Sequence, residues 1–121
     1  MDRLLAATSI GPLYMNRPDI AQMVVAAIQY RDPVQYLLHS FVVMPNHVHM
    51  LITPKERVEK IMQSLKRFTA RRANAILGLT GRPFWQDESF DRLVRNDDEF
   101  ARITRYIEMN PVDAGLVSEL G

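Results

Sequence analysis

In the stretch PNHVHMLI, His47 and His49 stand two residues apart within a run of strand-forming character. A strand alternates its side chains, so both imidazoles project from one face while Val48 points to the other, and two adjacent imidazoles make half of a metal site. Taken alone, a His-x-His pair is more often two hydrogen-bonded polar residues on a sheet face. His39 has no such companion within its own strand and is read as an ordinary hydrogen-bonded histidine. In RYIEMNPVDAGLV, Tyr106 and Asn110 are four apart, which on a helix stacks a phenol and an amide on one face. A tyrosine near a helix end usually packs rather than reacts, and Asn110 precedes Pro111, which disfavours helical geometry at that residue.

The elements that must position these groups follow from periodicity. Ile20, Met23, Val24, Ala27 and Ile28 recur at helical spacing, with Asp19 as cap and Asp32-Pro33 as stop, so a helix is expected over 19–30. QYLLHSFVVM is apolar on both alternating sets, as a strand covered on both faces would be, and VHMLIT resumes after the Pro45-Asn46 turn. A hairpin over 35–44 and 47–53 results. Beyond Pro54, Val58, Ile61, Met62, Leu65, Phe68, Ala73 and Ile76 define the buried side of a long helix ending near Gly78. Its other side carries Lys60, Lys66, Arg67, Arg71 and Asn74. GRPFWQDESF reads as a loop, FDRLVRN as a short strand with Phe90, Arg92 and Val94 on one face, and Asn96, Asp97 and Asp98 as the cap of a third helix. That helix runs to about Met109, docked by Phe100, Ile103 and Ile107. Helix, hairpin, helix, strand, helix describes an α+β domain with a mainly antiparallel sheet.

At 121 residues the chain suits one domain, and no linker or repeat divides it. No apolar run approaches the length a membrane helix needs, and the first residues do not form a secretory signal, so a soluble, cytoplasmic protein is expected. With no cysteine, any metal must sit on nitrogen or oxygen donors. The net charge of +1 hides an uneven distribution. Between Lys55 and Arg82 eight bases face two acids, a surplus of six, whereas between Asp87 and Glu119 nine acids face four arginines, a deficit of five. A basic block in a near-neutral domain suits a polyanion, although a solvated helix face is the commoner cause.

Four segments together, FVVMPNHVHMLITP, IMQSLKRFTARRAN, PFWQDESFDRLVR and RYIEMNPVDAGLV, closely resemble the HUH single-tyrosine transposases, IS200-like, and their REP-associated tyrosine transposase branch in particular. The resemblance runs from about Gly11 to Val117 and matches in order and spacing at all four places. It implies a ferredoxin-like α+β nuclease domain in which His47 and His49 are metal ligands, Asn110 is the third ligand and Tyr106 is the nucleophile. It also implies a divalent cation, Mg²⁺ or Mn²⁺, and single-stranded DNA cleaved beside a hairpin, with a 5′-phosphotyrosine link formed and a 3′-hydroxyl freed. The chemistry is coherent. A phenol is a weak nucleophile below its ordinary pKa of about 10, and a cation beside the phosphate offsets charge on its oxygens and orients it for in-line attack.

The DNA is expected on Lys66, Arg67, Arg71 and Arg72, which could neutralise phosphates. Phe84 and Trp85 could stack on unpaired bases, though core packing is the commoner fate of such a pair. The chain also departs from the family pattern. MDRLLAATS reads as a helix remnant where relatives begin with a strand, and little follows Val117 where they continue, so residues 1–121 are expected to form a single domain lacking that strand and the C-terminal tail. A missing strand would leave an unpaired sheet edge, to be covered by a homodimer or tolerated at reduced stability. The alternative to an active enzyme is an inactive relative that still binds hairpin nucleic acid. Metal hydrolases that carry His-x-His in a (β/α)₈ barrel are disfavoured, because such a barrel needs about 250 residues.

Overall fold

The computed structural model describes the backbone of residues 3–10, 17–44, 47–94, 96–109 and 116–119, and within these the side chains of 3–7, 17–44, 48–85 and 96–106. The elements in order are β1 (Arg3–Ile10), α1 (Pro18–Tyr30), β2 (Tyr36–Met44), β3 (His47–Pro54), α2 (Val58–Leu77), β4 (Trp85–Val94), α3 (Asp97–Met109) and β5 (Leu116–Glu119). They build a five-stranded sheet in the order β4-β1-β3-β2-β5, with every described pairing antiparallel. The first six elements are a split β-α-β repeated twice, in which β3 lies between β1 and β2: the ferredoxin-like plan. The α+β class and the antiparallel sheet expected from periodicity are both present.

The amino terminus is where expectation and structure part. The segment RLLAATSI is a strand and not a helix remnant, and it sits inside the sheet, with Ala6 opposite Met50 on β3 and Asp91 on β4. Leu and Ala favour helix and only Thr8 and Ile10 are β-branched, so local propensity pointed the wrong way. Pairing on both sides overrides it. The edge that a missing strand would leave unpaired is therefore filled, and it gives no reason for a dimer. A second difference lies at Trp85–Phe90, expected as loop but forming the first half of β4. A third is β5, which pairs with β2 and which the sequence did not announce.

The sheet buries both faces. On one, Val48, Met50 and Ile52 of β3 pack with Ile20, Val24 and Ile28 of α1 and Ile61, Leu65 and Ala73 of α2. On the other, Leu51 of β3 packs with Val42 and Met44 of β2, Leu5 of β1, and Phe100 and Ile103 of α3. Period-two alternation along β3 thus sends odd-numbered residues toward α3 and even-numbered ones toward α1 and α2. Fully burying each aliphatic or aromatic side chain contributes roughly 1.5–3 kcal/mol before the entropy of ordering is set against it. Tyr36 joins the larger core, its hydroxyl donating to the Ile28 carbonyl, and burial pushes its phenol above the ordinary tyrosine range.

Several helix details follow the expected chemistry. Pro18 occupies the first turn of α1, and Asp19 lies inside that turn, not at the cap, with its carboxylate accepting from Ile20 N–H at 2.9 Å. The Arg17 guanidinium that bonds Asp19 holds that carboxyl below its usual range. Helix α2 closes at Gly78, whose φ of 71° lies in the left-handed region that glycine tolerates best. Two expectations for α2 need correction. Phe68 and Ile76 are each 41% exposed and flank the core stripe, whereas Asn74 is buried and its amide donates to the Arg82 carbonyl at 2.6 Å. The buried stripe runs through Ile61, Leu65, Thr69 and Ala73, so Phe68 lies beside it.

Candidate active site

Helix α3 is fastened across the sheet face away from α1 and α2. Asn96 caps it, its side-chain oxygen accepting from Glu99 N–H at 2.8 Å, as the cluster Asn96-Asp97-Asp98 led one to expect. Phe100 and Ile103 anchor its apolar stripe on Leu5, Val42, Met44 and Leu51. The Arg3 guanidinium lies 4.2 Å from the Phe100 ring centre and 3.5 Å from Asp97. His39 also packs on Phe100, ring centres 5.7 Å apart and nearly perpendicular. The β2–β3 register shifts between Leu38 and Ser40, leaving His39 as the bulged residue, and its Nε2 lies 2.6 Å from Thr53 Oγ1. Burial, aided by the Arg3 charge and opposed by Asp32, pulls the His39 imidazole below its ordinary value. It is a satisfied packing histidine, as expected.

Three residues beyond Ile103, Tyr106 stands 57% exposed with its ring edge-on to His49, centroids 6.3 Å apart and planes at 86°. His49 is half-buried on β3, flanked in register by Ala7 of β1 and Val42 of β2. His47 occupies the register position opposite Ser9 and Met44, two residues from His49, while its side chain, like Asn110 and the side chains of Phe90, Arg92, Val94 and Ile107, lies outside the described residues. Among the described residues no three His, Cys, Asp or Glu side chains converge as a metal site. Tyr106 and His49, remote in sequence, are therefore brought together on one face of the sheet.

The other expected binding residues fall elsewhere. Arg67, Arg71 and Arg72 are exposed and Lys66 half-buried on α2, which covers the face opposite to Tyr106. Phe84 and Trp85 are 2% and 9% exposed, packed edge to face at 5.2 Å in the larger core. Trp85 Nε1 donates to Thr69 Oγ1 at 2.8 Å. Neither ring offers a face to a base, so base stacking on Phe84 and Trp85 is corrected to core packing: an apolar pair at the end of a loop filled the space beneath α2. Sequence inspection took Phe68 for core and passed over Arg31 and Tyr30, and all three share a groove between α1 and α2. The pair Phe68–Arg72, an aromatic and a cation four apart on a helix, was the available signal.

Fold and site together define a class: a ferredoxin-like domain with an added helix that sets a tyrosine ring against a histidine on the central hairpin. The family model described as "Transposase IS200 like" matches residues 19–110, and the chain belongs to that family. Solved structures share the fold, two of which are as follows. One, a REP-associated tyrosine transposase bound to a REP hairpin, superposes with a TM-score of 0.64 at 19% identity, covering 91% of this chain and 66% of that one. This chain thus spans just under two-thirds of that relative's length. The other, a candidate transposase from Deinococcus radiodurans R1, gives a TM-score of 0.61 at 20% identity over 89% of this chain and 88% of that one. Among curated proteins, none matches.

Proposed function

We propose that this chain is a metal-dependent, single-tyrosine DNA nuclease and strand transferase of the REP-associated type, with Tyr106 as nucleophile. The observation that carries the proposal is the contact of the Tyr106 ring with His49 across α3 and β3. Tyr106 Oη attacks a phosphorus of single-stranded DNA; the new P–O bond forms as the bond to the 3′-oxygen breaks. The phenol gives up its proton, the leaving oxygen takes one up as a 3′-hydroxyl, and the 5′-phosphate stays on Tyr106. Because one phosphodiester has been exchanged for another, the reverse attack by a 3′-hydroxyl rejoins DNA without ATP. The half-exposed position of Tyr106 leaves its hydroxyl reachable by a polymer.

The donor set fits a divalent cation. Strand alternation gives His47 the same face as His49, and two neutral imidazoles with the Asn110 amide leave coordination positions for water and phosphate oxygens. These three residues would hold Mg²⁺ or Mn²⁺, which when bound offsets charge on the non-bridging oxygens and orients the phosphate. Imidazole also takes Zn²⁺ and Ni²⁺ readily, so a purified sample can carry those ions. A hairpin substrate is supported by the REP hairpin bound to the structurally similar transposase. No described helix is long and apolar enough to cross a membrane, and the need to reach genomic DNA supports a cytoplasmic location.

The test is covalent capture. Incubated with a labelled hairpin oligonucleotide carrying a single-stranded flank and Mn²⁺, the protein should yield an SDS-resistant adduct that EDTA prevents. Tyr106→Phe, which deletes only the hydroxyl, should abolish the adduct and leave binding intact. An adduct that survives in Tyr106→Phe removes that residue from the chemistry, and a gel shift without any adduct in the wild type leaves a hairpin-binding protein in place of an enzyme.

A further inference from the structure

Tyr106 is placed only as well as α3 itself, and the seat of α3 on the sheet is narrow. Its described apolar anchors are Phe100 and Ile103. Thr104, four residues after Phe100 on the same helical face, is buried, as is Ser40, on the same side of β2 as Val42 and Met44. Among the described residues neither hydroxyl has a hydrogen-bond partner, and buried hydroxyls left unmet weaken the packing around them. Much of the hold on α3 therefore falls to the Phe100 ring, which is clasped by two groups from the sheet. The Arg3 guanidinium of β1 lies 4.2 Å from its centre, and the His39 imidazole of β2 packs on it at 5.7 Å, nearly perpendicular. Arg3 also reaches Asp97, in the first turn of the same helix, at 3.5 Å.

Both members of this clasp are bases, but only one has a fixed charge. Arginine stays a cation at every working pH, whereas an imidazole changes charge near neutrality. Neutral His39 has its hydrogen bond with Thr53 Oγ1, 2.6 Å from Nε2, and among the described residues it makes no other. Protonation adds a second N–H and sets a positive charge beside that of Arg3, with one ring between them. The elements packed around His39 offer that charge little relief. β3 brings the uncharged Thr53, and α3 brings Asp97, already shared with Arg3. Asp32, ahead of β2, favours the charged form, but its carboxylate also accepts from Leu38 N–H at 3.1 Å. Glu119 of β5 holds the register position opposite Ser40. Burial and Arg3 outweigh Asp32, so the imidazole stays below its ordinary value.

We infer that His39 is a positioning residue whose protonation loosens α3, so that Tyr106 is held against His49 while His39 is neutral and is released in acid. This rests on the proposed Tyr106 chemistry and deepens it by naming a regulator of that site, the proton. Linkage fixes the sign. Docked α3 lowers the proton affinity of His39, so a proton on His39 lowers the affinity of α3 for its seat by the same factor. Docking is therefore strongest above pH 6.5, the ordinary histidine value, and weakens as pH falls from there through the lower value of the docked group. Tyr106 lies six residues beyond Phe100, about 9 Å along the helix axis, so a tilt at the ring is carried to the phenol. Acid then slows strand cleavage through the helix that carries the tyrosine.

The test reads the helix before activity, because acid also acts on imidazole metal ligands. Hydrogen–deuterium exchange of the α3 peptide is followed in the full chain without metal from about pH 5 to 8, corrected for the intrinsic exchange rate. In the wild type, α3 protection should fall about fivefold or more on acidification, the low end of ordinary coupling between two sites, while β3 protection holds. His39→Gln keeps an amide for Thr53 and cannot take a charge, so its α3 protection should stay level across the range. Arg3→Gln should shrink the fall. Reciprocally, the His39 ring resonance should titrate below 6.5 in the wild type and nearer to it in Phe100→Ala. Circular dichroism confirms folding of the variants, and the wild-type titrations depend on none of them. With Mn²⁺ and a hairpin oligonucleotide, single-turnover adduct formation should decline in acid with the midpoint of α3 protection, and His39→Gln should lose severalfold less of its neutral-pH rate. Protection of α3 that ignores pH in the wild type, or falls equally in His39→Gln, would overturn this role for His39 even if Tyr106 forms its adduct. A fall confined to the wild type in a protein that forms no adduct supports the coupling while the enzymatic function fails, so the two outcomes are separable.

Discussion

Replacing Thr69 by valine is a nearly isosteric change that tests whether Trp85 is a core residue. The Thr69 hydroxyl accepts from Trp85 Nε1–H at 2.8 Å and donates to the Leu65 carbonyl at 2.8 Å, all within the larger core. Valine keeps the shape and removes the acceptor, stranding an indole N–H where water does not reach. An unmet buried donor costs roughly 1–3 kcal/mol, and relief of the hydroxyl's own desolvation returns part of it, leaving about 1–2 kcal/mol. With an unfolding entropy of about 2.1 cal/mol/K per residue, that is a fall in Tm of roughly 4–8 °C for a chain of this size. Thermal and urea unfolding monitored by circular dichroism measure it; the urea midpoint should drop with an unchanged slope. Trp85→Phe removes the donor, so Thr69→Val made on that background should cost about 1 kcal/mol less than in the wild type. Oligonucleotide affinity should not move in Thr69→Val. Additive costs in the double variant, or a loss of DNA affinity with Tm unchanged, would show that Trp85 does its work at the surface after all.

Phe100→Ala removes the ring that fixes α3 on Leu5, Val42, Met44 and Leu51, costing about 2–3 kcal/mol; because Tyr106 rides on the same helix, single-turnover adduct formation should slow about tenfold or more while oligonucleotide binding holds. The His39 imidazole is depressed in the folded state, chiefly by burial, so as pH falls below its ordinary 6.5 the unfolded chain takes up the proton first and stability declines until the folded group also protonates. Comparing Tm against pH for the wild type and His39→Gln should show a shallower acid-side decline in the variant; parallel curves would deny His39 that role. Gly78→Ala meets no atom within 4 Å but forces a side chain onto a φ of 71°, and should lower stability by about 1 kcal/mol in urea unfolding.

Long segments with a clear period were legible: α1, α2 and α3 and the paired strands β2 and β3 all lie within a few residues of where apolar spacing put them. The short ones were not. Arg3–Ile10 reads as helix by composition and becomes a strand because two neighbours bond its backbone. Trp85–Phe90 looks like loop chemistry but is held by pairing to β1. In both cases the deciding contacts are far away in sequence, and no local window contains them. Phe68 is the counterpart on a helix. An aromatic at roughly the right spacing was taken for core, but the helix rolls so that Thr69 and Ala73 face the sheet and Phe68 is left at the groove.

For the candidate site, residue type and alternation along a strand put His47 and His49 on one face, because a period of two is a local property, and only the family resemblance gave the pair a role. The pattern of four segments tied Tyr106 to them and to an IS200-like transposase. What the chain's order could not determine is distance: that Tyr106 meets His49, and that the basic side of α2 lies on the reverse of the sheet, both depend on which face each helix packs against. That choice is made by the burial of Phe100 and Ile103 on one side and of Ile61 and Leu65 on the other, a balance of apolar area summed over the whole fold and invisible within any one stretch.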